Sequence, residues 1–338
     1  MPGRGVERGQ RGEDPVARAV AGDNDIVRQT GRTRDDIVRI LQDTRLKMFE
    51  TRLQRPRPQR DDKILTSWNG LMIGAFARMS RVLDDGWKFL ETARRAALFL
   101  RERMWHAGTG VLLRRYRDGH AEIEGYAEDY AYLIAGLLEL FQADADPVWL
   151  EWAIALQHRQ DQLFWDNDSG GWFSTTGQDA SVLVRMKEDY DGAEPTASSV
   201  SVMNLLVLSH LVHDSQWTER IERTLRYFGA RLEKIGRAVP MMAAALSVYT
   251  AGLQQVVIAE GDQDDRAMAR ALAMQYLPFA AVLLVPPHRR RGLAGSLPFV
   301  AGMEPVQGAT AAYVCRNFTC RQPVTTLDAL QRELKAAS

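Results

Sequence analysis

The sequence has 338 residues, of which 46% are hydrophobic and 25% are charged. This composition is that of an ordinary globular protein and excludes a wholly disordered chain. Lysine and arginine together number 43, as do aspartate and glutamate, so the formal net charge is zero. That balance argues against a nucleic-acid partner, because such proteins usually carry a basic excess or a basic stripe.

The sequence predicts no signal peptide and no membrane partner. Residues 1–18 are rich in glycine and arginine and contain no apolar stretch. The uncharged window 238–259 is interrupted by Pro240 and Gly252, and each part falls well short of the length that a membrane span needs. We therefore expect a soluble, cytoplasmic protein.

The first three quarters of the chain are predicted to be helical after a disordered start. Residues 1–30 contain few large apolar side chains and are expected to be disordered. Apolar spacing predicts a helix over 35–53, which ends before Pro56 and Pro58 because each proline disfavours helix at the preceding residue. Apolar-periodic helices then follow, mostly in pairs joined by short turns. They are predicted over residues 66–83, 87–105, 126–143, 147–165, 195–213, 216–234 and 240–251.

The helix pairs also repeat in sequence. The segment that starts at Met104-Trp105 aligns with the one that starts at Phe164-Trp165, sixty residues later. Helix pairs that repeat at such a period bury their apolar faces against neighbouring pairs. We therefore predict a mainly α fold, with residues 31–252 forming helical hairpins of an incomplete α/α toroid.

The pattern changes near the C-terminus. A strand, a helix and a second strand are predicted in that order, which favours a βαβ-like arrangement. The tail from residue 286 is expected to be irregular apart from a terminal helix over 327–336. A small α/β region is therefore predicted over 253–338. Its first three elements are expected at residues 255–259, 264–275 and 280–285.

Long loops indicate where a site would lie. In a toroid of hairpins, the loops that join each outer helix to the next inner helix gather on one face, at the N-termini of the inner helices. Here those loops, residues 106–125 and 166–194, are long, whereas the turns within hairpins are short. Free N–H groups and helix dipoles at such a face favour anions and hydroxyl groups.

Aromatic rings mixed with carboxylates and amides border this predicted face, and such a mixture suits a sugar-like ligand. The rings cover the apolar C–H faces of a polyol while the polar groups bind its hydroxyls. The predicted substrate-binding residues are Asp61, Lys63, Trp68, Asn69, Arg115, Tyr126, Trp172 and Lys187. Glu128, Asp129 and Asp191 are the predicted catalytic residues, the first two as acid/base groups.

Each of these assignments also has a purely structural interpretation. Glu128 and Asp129 stand in a first helical turn, where acidic residues complement the helix dipole. Asp191 precedes a glycine and a proline, where it is suited to shaping a turn. Lys187 and Glu188 are compatible with a solvated pair, and the tryptophans with core packing between hairpins.

No metal or cofactor is predicted. The histidines are scattered, and only His210 and His213 have metal-ligand spacing, which a helix C-terminal cap also explains. The sequence contains no HExxH, nucleophile elbow, P-loop or GxGxxG motif. Cys315 and Cys320 are compatible with a disulfide or with half of a zinc site, and we expect two reduced thiols.

Several segments together resemble the spermatogenesis-associated protein 20 family, whose bacterial members are called thioredoxin domain-containing proteins. The matching segments are residues 57–72, 125–133, 164–173, 191–195 and 313–320. The resemblance implies a thioredoxin-like domain followed by an α/α toroid similar to six-hairpin glycosidases and N-acylglucosamine 2-epimerases. We expect this chain to lack the thioredoxin-like domain and the first hairpins of the toroid.

The resemblance implies no assigned reaction, so three hypotheses follow. The first is a protein that binds or converts a carbohydrate, with isomerase-, epimerase- or glycosidase-like chemistry. Epimerase chemistry is the least favoured, since relatives tend to use histidine and none falls in the clusters that border the face. The second is a non-catalytic scaffold that works with a thioredoxin-like partner. The third is a fragment that has no activity without its missing N-terminal half.

Overall fold

The chain divides into two compact units, residues 1–62 and 63–338. The hairpin region predicted over 31–252 therefore does not coincide with one unit, because residues 31–62 fall in the first. The computed structural model describes residues 23–178, 182–212, 214–261, 266–316 and 319–336.

The first unit contains helices α1 (Asp23–Thr30) and α2 (Arg34–Leu53). Residues 1–22 of the predicted disordered start lie outside the described residues, and residues 23–30 form α1. There the Thr30 hydroxyl donates a hydrogen bond to the Ile26 carbonyl, 2.7 Å away. The Thr33 hydroxyl caps α2 by accepting from the Asp36 N–H, and the predicted helix is confirmed.

The second unit is built from helical hairpins. Its helices are α3 (Thr66–Val82), α4 (Gly86–Arg103), α5 (Ala127–Asp144), α6 (Pro147–Phe164), α7 (Ala197–Leu211), α8 (Ser215–Ile235) and α9 (Pro240–Ala251). Helix α3 packs on α4, α5 on α6, and α7 on α8. The inner helices α3, α5, α7 and α9 also pack side by side in that order. The predicted α/α hairpin fold is therefore confirmed.

Helix α5 lies at the centre of this packing. It contacts α3, α6 and α7, and most of its side chains are buried. Tyr132, Leu133 and Ile134 are consecutive and therefore point in different directions around the helix, yet each is at most 1% exposed. A helix that is apolar on all sides is stable only in such a position, surrounded by other elements.

The inner helices α3 and α5 approach each other very closely at two glycines. A Cβ atom added at Gly136 would lie 2.3 Å from the carbonyl oxygen of Gly70. A Cβ atom added at Gly70 would lie 2.6 Å from the backbone nitrogen of Leu133. Because the obstructing atoms belong to the backbone, this crossing requires glycine on both helices.

The sixty-residue repeat is visible in backbone contacts. After α4, Trp105 stands opposite Leu112 in an antiparallel bridge. After α6, Trp165 stands opposite Trp172 in the same way, and both positions are shifted by sixty residues. In each copy, the residue after the second bridge partner donates its N–H to the residue before the tryptophan, at 2.8 and 2.9 Å.

The first long loop, together with the two residues that precede α3, forms a small antiparallel sheet. Its strands are β1 (Ile64–Leu65), β2 (Trp105–His106), β3 (Val111–Arg117) and β4 (His120–Glu124). Strands β3 and β4 form a β-hairpin. Its turn residues Asp118 and Gly119 both have positive φ angles, 51° and 84°, which is why aspartate and glycine suit this turn.

The C-terminal region is a four-stranded sheet with strand order β6-β5-β7-β8. Strands β5 and β6 pair in parallel across α10, so the predicted βαβ order is confirmed. Its elements are β5 (Gln254–Ala259), α10 (Ala267–Ala273), β6 (Ala280–Val285), α11 (Arg290–Ser296), β7 (Ala311–Arg316), β8 (Thr319–Cys320) and α12 (Leu327–Ala336).

Two predictions for this region are wrong. The tail after residue 286 is not irregular before its terminal helix, because α11, β7 and β8 lie within it. Strand β7 is held by antiparallel pairing with β5, a long-range contact that the local sequence does not reveal. Cys315 on β7 and Cys320 on β8 are joined by a disulfide instead of remaining two reduced thiols.

The C-terminal sheet covers the C-terminal ends of two inner helices. The Val282 N–H donates to the side-chain oxygen of Gln142 at the end of α5, 3.0 Å away. The Gln255 amide donates to the His210 carbonyl at the end of α7. The N-terminal ends of these helices therefore face away from the sheet. Within the described ranges, no helix is long and apolar enough to cross a lipid bilayer.

Candidate functional site

Asp129 joins the N-terminal ends of α3 and α5. One carboxylate oxygen accepts the Ser67 N–H of α3 at 3.1 Å, and the other accepts the Tyr126 N–H before α5 at 2.9 Å. The Arg114 guanidinium pairs with the second oxygen at 2.7 Å. Asp129 is fully buried, so burial raises its pKa, and the charge of Arg114 opposes that rise. Its contacts favour a positioning role over the predicted catalytic one.

Asp191 makes the equivalent connection between α7 and α9. Its two carboxylate oxygens accept the N–H groups of Thr196, at the N-cap of α7, and Met241, in the first turn of α9, at 2.7 and 2.8 Å. The residue is 9% exposed. Because both oxygens are bound to backbone groups, the geometry favours a positioning role for Asp191 as well.

Three further carboxylates gather around Tyr132 of α5. The Tyr132 hydroxyl donates to the Pro195 carbonyl, and its pKa is raised by burial and by the charges of Glu194, Glu128 and Glu188. Partial burial, Glu128 and Glu194 also raise the pKa of Glu188. These three glutamates therefore lie close enough to influence one another, and only Glu128 was among the predicted catalytic residues.

Two aromatic rings lie open to solvent beside these carboxylates. Trp68 is 56% exposed, and its indole N–H donates to Glu194 at 2.6 Å. Tyr126 is partly exposed, and the Arg114 guanidinium lies 4.5 Å from its ring centroid. Arg114 also pairs with Glu128 at 2.7 Å, so one cation connects the acidic cluster to an aromatic ring.

Arg114 contacts the carboxylates of the site, whereas the predicted binding residue was its neighbour Arg115. Arg115 points to the other side of β3, where it pairs with Glu122 of β4. Strand alternation explains the difference, because successive side chains of a strand face opposite sides. Asn69 is half-buried and donates to the Leu65 carbonyl at 2.8 Å, which fixes the start of α3.

Trp172 lies in the core and not on the open face. It is 1% exposed, its indole N–H donates to Asp161 at 2.9 Å, and its ring packs edge-on against Trp165. A buried indole cannot contact a ligand that approaches from solvent, so the structure contradicts the predicted binding role of Trp172. The Trp172 side chain instead packs in the hydrophobic core of the hairpins.

Lys187 fastens the second long loop. Its side chain is 6% exposed, and its ammonium group donates to Asp166, Ser169 and Gly170 at 2.7 to 2.9 Å. It also lies 3.7 Å from the ring centroid of Tyr227. With its donors used by the loop, Lys187 is placed to hold the loop and not to bind substrate, contrary to the prediction.

The hydrogen bonds and ion pair between Lys187 and Asp166 predict that the contribution of Asp166 to stability depends on pH. Burial opposes ionisation, but hydrogen bonds from Lys187, Ser169 and Asp168 together hold the pKa of Asp166 well below its usual range. The Asp166→Asn variant should therefore lose about 2 kcal/mol of unfolding free energy at neutral pH.

The sign of the pH effect follows from the depressed pKa. The stabilisation is present above the unfolded pKa, about 4, and is lost as the pH falls towards the lower folded pKa. Urea denaturation at pH 7 and pH 3 should show the difference between wild type and variant shrinking in acid. A difference that is the same at both pH values would contradict the ionised contact.

The two remaining predicted residues lie at the boundary between the units. Asp61 belongs to the first unit and Lys63 begins the second, and both are exposed. Among the residues that the structure describes, no group of three or more histidine, cysteine, aspartate or glutamate side chains has a geometry suited to a metal ion.

These features define a helical-hairpin protein with an acidic and aromatic face at the N-termini of its inner helices. No family model matches the chain. It is 35% identical over 290 residues to spermatogenesis-associated protein 20 of Homo sapiens, covering 82% of this chain and 37% of that protein. It is 30% identical over 298 residues to an uncharacterized protein of Caenorhabditis elegans, covering 84% of this chain and 39% of that one.

Over this segment the chain is a homologue of spermatogenesis-associated protein 20, and the predicted resemblance is confirmed. The chain spans about two fifths of the length of these relatives.

Solved structures of enzymes are also similar. A cellobiose 2-epimerase from Bacillus thermoamylovorans has a TM-score of 0.47 at 12% identity, covering 78% of this chain and 67% of that one. A glycoside hydrolase family 76 mannosidase from Bacteroides thetaiotaomicron has a TM-score of 0.40 at 13% identity, covering 50% and 45%.

Proposed function

We propose that the face at the N-termini of α3, α5 and α7 binds a sugar-like polyol, and that Glu128 and Glu188 act there as an acid/base pair. The observation that carries the proposal is the exposed Trp68 ring, whose indole N–H donates to Glu194 at 2.6 Å near the Arg114–Glu128 ion pair. Burial and the charges of Glu128 and Glu194 also raise the pKa of Glu188. A pair of carboxyl groups in different environments is the arrangement that separates an acid from a base.

The two glutamates differ in their partners. Glu128 forms an ion pair with Arg114 at 2.7 Å. Glu188 faces two negative charges, which favour its protonated form. In the proposed reaction, Glu188 gives a proton to a sugar oxygen and Glu128 takes a proton from carbon or water. This division fits either an isomerase-like or a glycosidase-like reaction.

Trp68 provides the platform on which the sugar would stack. Its ring is exposed, and the bond to Glu194 fixes its orientation across the start of α5. An apolar ring face suits the C–H face of a pyranose, while carboxylate oxygens accept hydrogen bonds from its hydroxyls. Asp129 and Asp191 support the site by holding the helix N-termini in place.

The test combines amide variants with a panel of substrates. Purified chain would be incubated with reducing mono- and disaccharides and with aryl glycosides, and conversion would be followed by proton NMR and by absorbance. Glu128→Gln and Glu188→Gln should each lower the rate on the responsive substrate by about 100-fold. Replacing Glu188 should also remove the alkaline limb of the pH–rate profile, because that limb reports the acid group.

Asp189→Asn is the matched control. Asp189 neighbours Glu188 in sequence but pairs with Arg231 at 2.6 Å, so the variant should keep the wild-type rate. A second readout is the thermal midpoint with each sugar, which Trp68→Ala should make insensitive to ligand. Full activity in both glutamine variants would overturn the acid/base assignment. No response to any sugar by wild type would overturn the substrate class.

Three sequence-based predictions stay predictions. They concern the cytoplasmic location, a thioredoxin-like partner, and the division of the chain into a disordered start, a hairpin region and a C-terminal region at residues 31 and 253. None of them is required by the proposed site, whose residues all belong to the second unit.

A further inference from the structure

The disulfide in the C-terminal sheet joins two sulfur atoms in very different environments. Cys315 lies on β7, is 1% exposed, and packs with the core shared with the helical hairpins. Cys320 lies opposite it on β8, the short edge strand, and is exposed. Of the two residues, Cys320 is therefore the one that a reagent from solvent can reach.

We propose that the Cys315–Cys320 disulfide is a thiol–disulfide exchange site, and that a dithiol reductant attacks it at the exposed sulfur of Cys320. Thiol exchange needs in-line access of a thiolate to one sulfur of the bond, so access selects the atom that is attacked.

The exchange conserves atoms and electrons. The incoming thiolate forms a bond to the Cys320 sulfur, the bond between Cys315 and Cys320 breaks, and Cys315 leaves and takes up a proton. The second thiol of the reductant then attacks the mixed disulfide and releases Cys320. The chain gains two electrons and two protons, and the dithiol becomes a disulfide.

The burial of Cys315 affects the rate of this exchange as well as the choice of the sulfur atom that is attacked. Cys315 must leave as a thiolate from apolar surroundings, and such surroundings disfavour the charged form. Exchange should therefore be slower than for a fully exposed disulfide. Breaking the disulfide should disturb only the edge strand β8, because β7 remains paired with β5 along its full length.

Single-cysteine variants test the choice of sulfur, with oxidised glutathione as the probe. The Cys315→Ala chain retains Cys320, and the Cys320→Ala chain retains Cys315. Mass spectrometry should show the first chain gaining glutathione at least about tenfold faster than the second under native conditions. In guanidinium the two rates should become equal, which shows that the fold and not the local sequence causes the difference.

The wild-type chain gives the second measurement. After oxidation with glutathione disulfide it should contain no thiol that reacts with iodoacetamide. After reduction and brief native alkylation, the label should lie mainly on Cys320, and trypsin separates the two cysteines by cleavage at Arg316. Equal labelling of both cysteines in the native chain, or two free thiols after oxidation, would overturn the proposal. Circular dichroism would verify that each variant folds.

Discussion

Replacing Arg114 with methionine is expected to destabilise the protein by about 3 to 5 kcal/mol at neutral pH. Arg114 is the cation that faces the fully buried Asp129 at 2.7 Å, and it also pairs with Glu128. Methionine preserves much of the apolar contact of the arginine stem but leaves Asp129 as an uncompensated buried charge. Urea denaturation followed by circular dichroism measures the loss.

The deficit of this variant should depend on pH. Burial raises the pKa of Asp129 and Arg114 opposes the rise, so removing Arg114 should raise this pKa further. An acid with a raised folded pKa contributes stability that is present below its unfolded pKa and lost as the pH rises through the folded pKa. The difference between wild type and variant should therefore shrink as the pH falls towards about 4.

Arg115→Met is the matched control for this prediction. Arg115 is the next residue on the same strand, and its partner Glu122 is exposed at the surface of the hairpin. Surface ion pairs contribute little, so this variant should change the unfolding free energy by less than about 1 kcal/mol. Equal losses in the two variants would show that the buried charge at Asp129 does not decide the stability of this region.

Replacing Gly136 with alanine is expected to cost about 3 kcal/mol or more in unfolding free energy. The new methyl group would lie 2.3 Å from the Gly70 carbonyl oxygen on the facing helix, far inside van der Waals contact. Helices α3 and α5 would have to move apart, because backbone atoms cannot rotate away as a side chain can. Thermal or urea denaturation would show the loss as an earlier midpoint.

Gly229→Ala separates this clash from the general effect of removing a helical glycine. Gly229 lies within α8, and a Cβ atom added there would meet no atom within 4 Å beyond its own helix. Alanine there should stabilise the protein by about 0.5 to 1 kcal/mol through helix propensity. If Gly136→Ala were as harmless as Gly229→Ala, the close crossing of α3 and α5 would be disproved.

The same crossing links stability to the proposed site. The close approach of α3 and α5 brings the Ser67 N–H to Asp129, and Trp68 follows directly on the same helix. Separation of the helices by Gly136→Ala should therefore displace the exposed indole from Glu194. Any sugar response found for wild type should weaken in this variant even at temperatures where it remains folded.

Local patterns in the sequence were sufficient for the hairpins. Apolar residues at helical spacing predicted α3 to α9, and proline at the first helical position of α6 and α9 marked where those helices begin. The sixty-residue repeat reappears as the bridges at Trp105 and Trp165. These features depend on periodicity and turn chemistry within a few residues, which the sequence states directly.

The roles of individual side chains required the tertiary structure. Sequence spacing selected Arg115, whereas the direction of β3 turns Arg114 towards the carboxylates. It treated Asp191 as a catalytic group, whereas the neighbouring helix α9 supplies a backbone N–H that binds it. It also passed over Glu188, whose raised pKa depends on charges from residues 60 and 6 positions away.

By itself, therefore, the sequence determined helices α3 to α9, their pairing into hairpins and the face on which long loops gather. Only the tertiary structure decided which residues of that face are bound to backbone, which are buried, and which remain open beside Trp68. It also decided that β7 inserts next to β5 and that Cys320 is exposed. The physical reason is that periodicity is local, whereas burial, charge pairing and strand insertion depend on residues far apart in the chain.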